Sequence, residues 1–451
     1  MAEVRLAPTW GTLIALAWPI VLSRSTQVVV GVADIAMVAH LGSDAIAATG
    51  AGALDAYVAL ILPMGIVSIV QSFASQHGGR GDLSAARRFG WYGLGVAVIA
   101  QAVAGGVTLA LPAIFAALPY APAVRELVVA YIGWRLVSGG AAVGIEALNA
   151  YYGGLGRTVP GMLANVAAML LNLGLNAFFI WGWFGGPVWG VMGAALASSV
   201  AVILAFLGFF LYFIGQGRGF PGPALGWHEL GRMLRFGLPA GLNYFFEFLA
   251  YIVFVNVVVA GLGTAPLAAW NSVMNLSSVA FMPAFGLATA GAVLVGQSIG
   301  AGHPDEVPGI VRRVLIAACA WQGLVGLVYV AIPGVVIAPF AQGADGEAVR
   351  AVGVSMLLVS AAWQLFDATA IAYGEALRAA GDTQFPMFAR LVIAWGVFTP
   401  GAWLSAQWLG WGPTATAGWL VVYLALLAAV CAWRFHTGAW RKITLVEPEL
   451  V

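Results

Sequence analysis

Three carboxylates, Asp34, Glu247 and Asp367, stand inside long apolar runs of this 451-residue chain. A carboxyl group in low dielectric resists ionisation and gains affinity for a proton, while a cation brought beside it favours the charged form. Such a group can exchange a proton for Na+ or an organic cation, so the chemistry it predicts is ion-coupled binding rather than bond breaking. An ionisable side chain deep in a membrane span costs roughly 2.5–3.5 kcal/mol on insertion scales, so each of the three needs a reason. Counted along a helix, Glu247 lies about 18 Å from Arg235 and Asp367 about 17 Å from Arg378. The two are expected at matching depth in one half of the chain, whereas Asp34 falls in the other half, six residues before His40.

One turn from these acids stand groups that can complete a polar pocket. Asn243 and Tyr251 flank Glu247 at i−4 and i+4, and Trp363 and Gln364 precede Asp367 at i−4 and i−3. Asn271, Asn275 and Ser278 in the next run add oxygens of the kind a hard cation prefers. Gln27 and the stripe Asn165, Asn172 and Asn176 do the same in the first half, although amides in a span also serve to join helices. The candidate coupling residues are thus Asp34, Glu247 and Asp367, with a candidate Na+ site at Glu247 and Asp367. Arg24 is expected to pair with a carboxylate such as Glu146. Arg135 and Arg390 are expected to snorkel to an interface, and Glu375, close to the end of its run, calls for no special account.

The elements that must position these groups follow from composition. The chain is 62% hydrophobic and 8% charged, against roughly a quarter charged in soluble domains, so lipid must cover it. A net charge of +1 provides no basic face for nucleic acid. Cys319 and Cys431 lie in apolar runs and imply no disulfide framework. Twelve runs are long enough to span, at 10–38, 45–74, 89–116, 124–152, 159–182, 188–214, 232–258, 265–298, 311–338, 347–377, 385–407 and 414–435. The first is too long and wrongly flanked for a cleaved signal peptide.

Basic residues fall mainly on one side: Arg5, Arg80, Arg87, Arg88, Arg157, Arg218, Arg232, Arg235, Arg312, Arg313, Arg378, Arg434, Arg441 and Lys442. The positive-inside rule makes that side, and both termini, cytoplasmic in a plasma (inner) membrane. The halves also repeat. Leu41-Gly42, Ala47-Ala48, Gln76, Gly79 and Gly81 recur 221 residues later, Pro19 recurs as Pro239, and Arg87-Arg88, Gly156 and Thr158 recur after 225. Six spans per copy make the repeat parallel, with a pseudo-twofold along the membrane normal. The expected organisation is an N-lobe at 1–215, a Gly- and Pro-rich cytoplasmic linker at 216–229 and a C-lobe at 230–451. Aligned by these offsets, Glu247 corresponds to Gln27, Asp367 to Ala142 and Asp34 to about Phe254 or Val255. One lobe is built without the other's acids, which separates them from general requirements of the architecture.

Taken in order, WPIVL and VADIAMVAHLGSDAIAA in the first run, GGLGRTVPGM after the fourth, NLGLNAFFIWG in the fifth, FFEFLAYIVF in the seventh and ALRAAGDTQFPM after the tenth resemble the multidrug and toxic compound extrusion (MATE) transporters. The likeness covers nearly the whole chain and is strongest to the NorM-type branch. A DinF-type branch carries an aspartate where this chain has Asn176. The resemblance implies a V-shaped pair of six-helix lobes, all-α and membrane-embedded, exporting cationic or amphipathic small molecules in exchange for Na+ or H+. It implies roles in cation coupling for Asp34, Glu247 and Asp367, no cofactor beyond the coupling ion, and a monomer. A flippase for lipid-linked oligosaccharides, of the same broad superfamily, is the alternative; it needs positive charge in its cavity for a pyrophosphate, for which Arg24 is a single candidate. An embedded enzyme is a distant alternative, because His40, His77, His228, His303 and His436 lie at run ends or in loops, with no HExxH.

Overall fold

The computed structural model describes residues 6–116, 122–217, 225–341 and 346–447. Arg5, Arg218 and positions 218–224 of the expected linker lie outside the described residues. The described residues form helices and connecting turns, without a strand. In chain order they are α1 (Trp10–Val38), α2 (Ser43–Ser68), α3 (Val70–Arg80), α4 (Leu83–Ala116), α5 (Pro122–Leu136), α6 (Gly139–Gly154), α7 (Val159–Trp181) and α8 (Gly190–Gln216). The second half contains α9 (Trp227–Val253), α10 (Thr264–Gly300), α11 (Val307–Ala331), α12 (Pro333–Ile337), α13 (Gly346–Ala380), α14 (Gln384–Ile393), α15 (Thr399–Gln407) and α16 (Pro413–His436).

Among the described residues 11 helices are long and apolar enough to cross a membrane, and a twelfth is the bent pair of α5 and α6, which meet at 47°. The fourth expected span is therefore broken. The break falls at Val137-Ser138, directly before Gly139-Gly140, and these small residues leave the helix little resistance to kinking. Large apolar side chains such as Val98, Leu109 and Leu327 are exposed along the spans, as lipid-facing surfaces require. Two further spans carry a π-helical segment: Phe254–Val259 after α9 and Ala394–Phe398 between α14 and α15. Their counterparts in the first half, α1 and α7, run without one.

The internal repeat is visible in backbone geometry. Gly81 and Gly302, 221 residues apart, have φ of 81° and 79°, and each ends its helix with a six-residue closure, Asp82 N–H to His77 O at 3.0 Å and His303 N–H to Ser298 O at 2.8 Å. Gly156 and Gly381 repeat the device, with Arg157 N–H to Tyr152 O at 2.8 Å and Asp382 N–H to Leu377 O at 2.9 Å. This is the Schellman ending, which needs a left-handed residue.

Packing divides the chain into two compact units: one spans Leu22–Gly241, and the other joins the residues up to Val21 to those from Leu242 onward. These boundaries lie inside α1 and α9, two residues after Pro19 and two after Pro239. The repeat boundary near 215–230 is a division of sequence, whereas these are divisions of contact. In the Leu22–Gly241 unit, α4 packs on α6, α3 on α6 and α7 on α8; in the other, α13 is the central helix, packed by α10, α11 and α16.

Close backbone approach holds α4 to α6. A Cβ at Gly140 would stand 2.8 Å from Ala97 O and 2.6 Å from Gln101 Cβ, and the Gly140 N–H donates to Gln101 Oε1 at 2.7 Å. Gly140→Ala must part these helices, and we expect a loss of about 1–3 kcal/mol, read as a lower Tm in detergent; an unchanged Tm would show that the approach is slack.

At the start of α4, Asp82 Oδ1 accepts from Ala85 N–H and Ser84 Oγ, both at 2.9 Å, so Asp82 caps the helix. Burial by itself would raise the pKa of Asp82, but the Ala85 N–H, the Ser84 hydroxyl and the charges of His77 and Arg88 together hold it below the ordinary 3.8. A depressed carboxyl pKa contributes stability above its unfolded value and loses it as pH falls through the folded value. Asp82→Ala should therefore cost about 1 kcal/mol near neutral pH. The gap between wild type and variant should close as the pH drops below 3.8; a gap that widens in acid would exclude the cap as its source.

Candidate functional site

Asp34 stands on α1 with 4% of its surface exposed, facing α7 and α8. Its Oδ1 accepts from Asn176 Nδ2 at 2.6 Å and from Asn172 Nδ2 at 3.2 Å, and its Oδ2 accepts from Ser198 Oγ at 2.9 Å. Asn172 and Asn176 are one turn apart on α7, so both amides reach one carboxylate; they also bond to each other at 3.3 Å, and Asn172 Nδ2 reaches Ser198 Oγ at 2.8 Å. Three donors thus converge on one carboxylate. The Oδ1 of Asn176, fully buried, has no partner.

In the other unit the two expected acids have separate partners. Arg390, on α14, donates from Nη1 to Glu247 Oε2, and the Tyr423 hydroxyl on α16 reaches Glu247 Oε1 at 3.3 Å. Asp367, on α13, accepts at Oδ2 from Gln322 Nε2 of α11 at 2.9 Å. Gln322 is 0% exposed and its Oε1 is without a partner. Asp367 is close enough to Glu247 and Arg390 to feel both charges. A run of aromatic rings leads to Glu247: Trp363 to Trp270 at 6.1 Å, Trp270 to Phe254 at 5.0 Å, Phe254 to Phe398 at 4.9 Å and Phe398 to Tyr423 at 5.3 Å.

Several expected neighbours take other roles. Asn165 turns back to Gly161 O of its own helix at 2.9 Å, and Gln27 is exposed. Asn275 Nδ2 bonds Asn271 O at 3.0 Å and Ser278 Oγ bonds Met274 O at 3.0 Å; among the described residues no hydrogen bond joins Asn271, Asn275 or Ser278 to Glu247 or Asp367. Asn243 keeps an unpartnered buried Oδ1 and Gln364 an unpartnered buried Nε2. Tyr251 packs its ring at 6.4 Å from Phe248.

The expected pairing of Arg24 with Glu146 is present, with bonds of 2.6 and 3.1 Å. Two expectations are corrected. Arg390 does not snorkel: an acid on the neighbouring span holds it inside. Glu375 does need an account, because it pairs with Arg378 and accepts from the Tyr244 hydroxyl at 3.4 Å. Sequence reasoning also missed Ser198, Gln322 and Tyr423. Among the described residues no group of three or more His, Cys, Asp or Glu is placed to hold a metal ion, so a cation at Asp34 would rest on amide and hydroxyl oxygens.

The MatE family profile matches residues 19–178 and 239–404. The multidrug resistance protein NorM of Burkholderia vietnamiensis is 27% identical over 93% of this chain and 92% of its own. A probable NorM multidrug resistance protein of Mesorhizobium japonicum is 29% identical over 97% and 94%. Among solved structures, the outward-facing conformation of a multidrug resistance MATE family transporter matches with a TM-score of 0.83 at 20% identity, covering 96% of both chains. A transporter from Pyrococcus furiosus, described as having a binding pocket of reversed polarity that suggests a different function, matches at 0.81 and 18% identity over 96% of each.

Proposed function

The chain belongs to the MatE family, and from that premise we propose that it is a secondary active multidrug efflux transporter, exporting organic cations or amphipathic drugs in exchange for Na+ or protons by alternating access. It is an integral membrane protein, and its family is one of transporters rather than enzymes. The basic residues Arg80, Arg87, Arg88, Arg157, Arg232 and Arg235 support a cytoplasmic placement of that side and of both termini in the plasma (inner) membrane. It works as a monomer and needs no cofactor beyond the coupling ion.

The observation that carries the reading is the Asp34 cluster. A carboxylate 4% exposed, bonded to two amides and a hydroxyl from two other helices, holds α1, α7 and α8 in one arrangement. Protonation turns Asp34 into a donor and breaks at least one of the three donations. A Na+ ion demands oxygens instead; rotating the two amides offers Asn172 Oδ1 and the unpartnered Asn176 Oδ1 beside the carboxylate and Ser198 Oγ. Either ion rearranges contacts among three helices, so its binding energy differs between conformations. That difference is the requirement for coupling an ion to a conformational equilibrium. The flippase reading wants free positive charge in the cavity, whereas Arg24 is engaged by Glu146 and Arg390 by Glu247.

Purified protein in proteoliposomes, with Na+ and proton gradients imposed separately, tests the proposal. Either gradient should drive movement of a fluorescent lipophilic cation. If folded protein moves no cationic probe under either gradient, and binds anionic lipid pyrophosphates in preference, the flippase replaces the exporter.

A further inference from the structure

The internal repeat supplies a comparison for the pair formed by Glu247 and Arg390. At the offset that carries Pro19 to Pro239, Glu247 falls on Gln27; at the offset that carries Gly156 to Gly381, Arg390 falls on Asn165. The first half thus has two neutral amides at the positions where the second has an acid and a base. Gln27 is exposed and Asn165 bonds its own helix, so the amides do not pair, whereas Glu247 and Arg390 do. The second half therefore differs at these two positions by a bonded pair with no net charge. Both π-helical segments follow them, seven residues after Glu247 and four after Arg390. Such segments re-aim side chains and concentrate at functional positions.

Asp367 differs from Glu247 in kind. Its hydrogen-bond partner is the neutral Gln322, and at the offset of 225 the two correspond to Ala142 and Ala97. One acid in this unit therefore has a permanent cation bonded to it and the other does not. A guanidinium stays protonated under all ordinary conditions and bonds a carboxylate directionally. An incoming Na+ at Glu247 must displace it and leave a buried cation uncompensated, a larger penalty than the pair's own formation recovers.

We propose that Arg390 is a tethered counter-cation that fills the cation position of Glu247, excluding Na+ from the carboxylate pair and leaving Asp367 as the exchangeable charge of this unit. This rests on the transporter reading, because it names which acid exchanges ions and which cation is refused. The titratable and charged groups facing the pair are Tyr244, Tyr423, Cys431 and Asp367, and none of them supplies a second permanent cation. Arg390 acts through Glu247 as a positioning and selectivity residue.

The test uses the full chain and the residues of its own first half: E247Q, R390N and the double variant E247Q/R390N, with R390K as the conservative control. Tm is measured in detergent with NaCl and with choline chloride at equal ionic strength. R390N should gain a rise in Tm in NaCl of about 2–4 °C. Wild type, R390K and the double variant should share one NaCl response, because whatever Na+ binds at Asp34 is common to all. A wild-type response larger than that of the double variant, or an R390N response no larger than wild type, overturns the proposal. Should R390N fail to fold, wild type against the neutral double variant still decides. Transport under each gradient is read in parallel. Folded protein that moves nothing removes the exporter reading, while the Tm comparison continues to report on Arg390 and Glu247.

Discussion

Asp34→Asn should reduce ion-driven efflux by roughly 10- to 140-fold, while the protein is still made, inserted and monodisperse. The magnitude follows from the donors. Hydrogen bonds to a charged group contribute about 1.5–3 kcal/mol each, and Asp34 accepts three. If ion binding alters one of them, about 1.5–3 kcal/mol of the difference between conformations passes through this carboxyl, and each 1.4 kcal/mol is about tenfold. An asparagine keeps the shape but neither binds a proton nor neutralises a cation. Its NH2 would take the place of Oδ2 and face the Ser198 hydroxyl, which loses its acceptor, so some loss of Tm should accompany the loss of transport. The measurement is initial efflux rate per folded molecule in proteoliposomes. Wild-type rates in a variant with an intact Tm would exclude Asp34 from coupling.

The second large effect is expected at Asp367, with the opposite consequence for stability. Asp367→Asn should abolish ion-driven efflux, yet leave the Tm unchanged or higher. Gln322 has a buried Oε1 without a partner, and an asparagine at 367 provides an N–H that this oxygen can accept once the Gln322 amide turns. The variant also removes the desolvation cost of a charge beside an apolar helix interface. Gain of stability with loss of function is the signature of a group retained for activity at a structural cost. A folded Asp367→Asn protein that still pumps against a gradient would exclude Asp367 as an exchangeable charge. So would a large drop in Tm, because that would make Asp367 a structural residue.

The spans were readable because a run of twenty apolar residues has little else to become, and the repeat because its glycines occupy backbone positions that need them. The acids were readable by their cost. What could not be read were partners drawn from other helices. Ser198 and Tyr423 are ordinary residues in apolar runs, and only the packing of α8 on α7 or of α16 near α14 gives them a carboxylate to meet. Asn172 and Asn176 were legible because their i, i+4 spacing already places both on one face. Asn165, seven residues earlier than Asn172, belongs to the same stripe by spacing but satisfies itself within its helix. Arg390 was misread for a physical reason: a long basic side chain near the end of a run has two ways to avoid lipid, and one of them, an acid on the next span, is invisible along the chain.

The beginning of α9 has a practical consequence. Glu229 is gripped by Arg88 through bonds of 2.9, 3.0 and 3.2 Å, and Tyr92 donates to it at 2.9 Å while accepting from Gly226 N–H at 2.7 Å. Gly237 and Gly241 continue the attachment, each so close to α2 that a Cβ would meet Ile66 O at 2.8 Å or Leu62 O at 2.7 Å. Gly217 and Gly226 therefore both belong to the Leu22–Gly241 unit. Labels attached to the described residues on either side, at Gly217 and at Gly226, report on the Leu22–Gly241 unit alone and are blind to rearrangement between the two units. Probes meant to follow that rearrangement have to be attached in pairs, one on either side of Val21 or of Gly241.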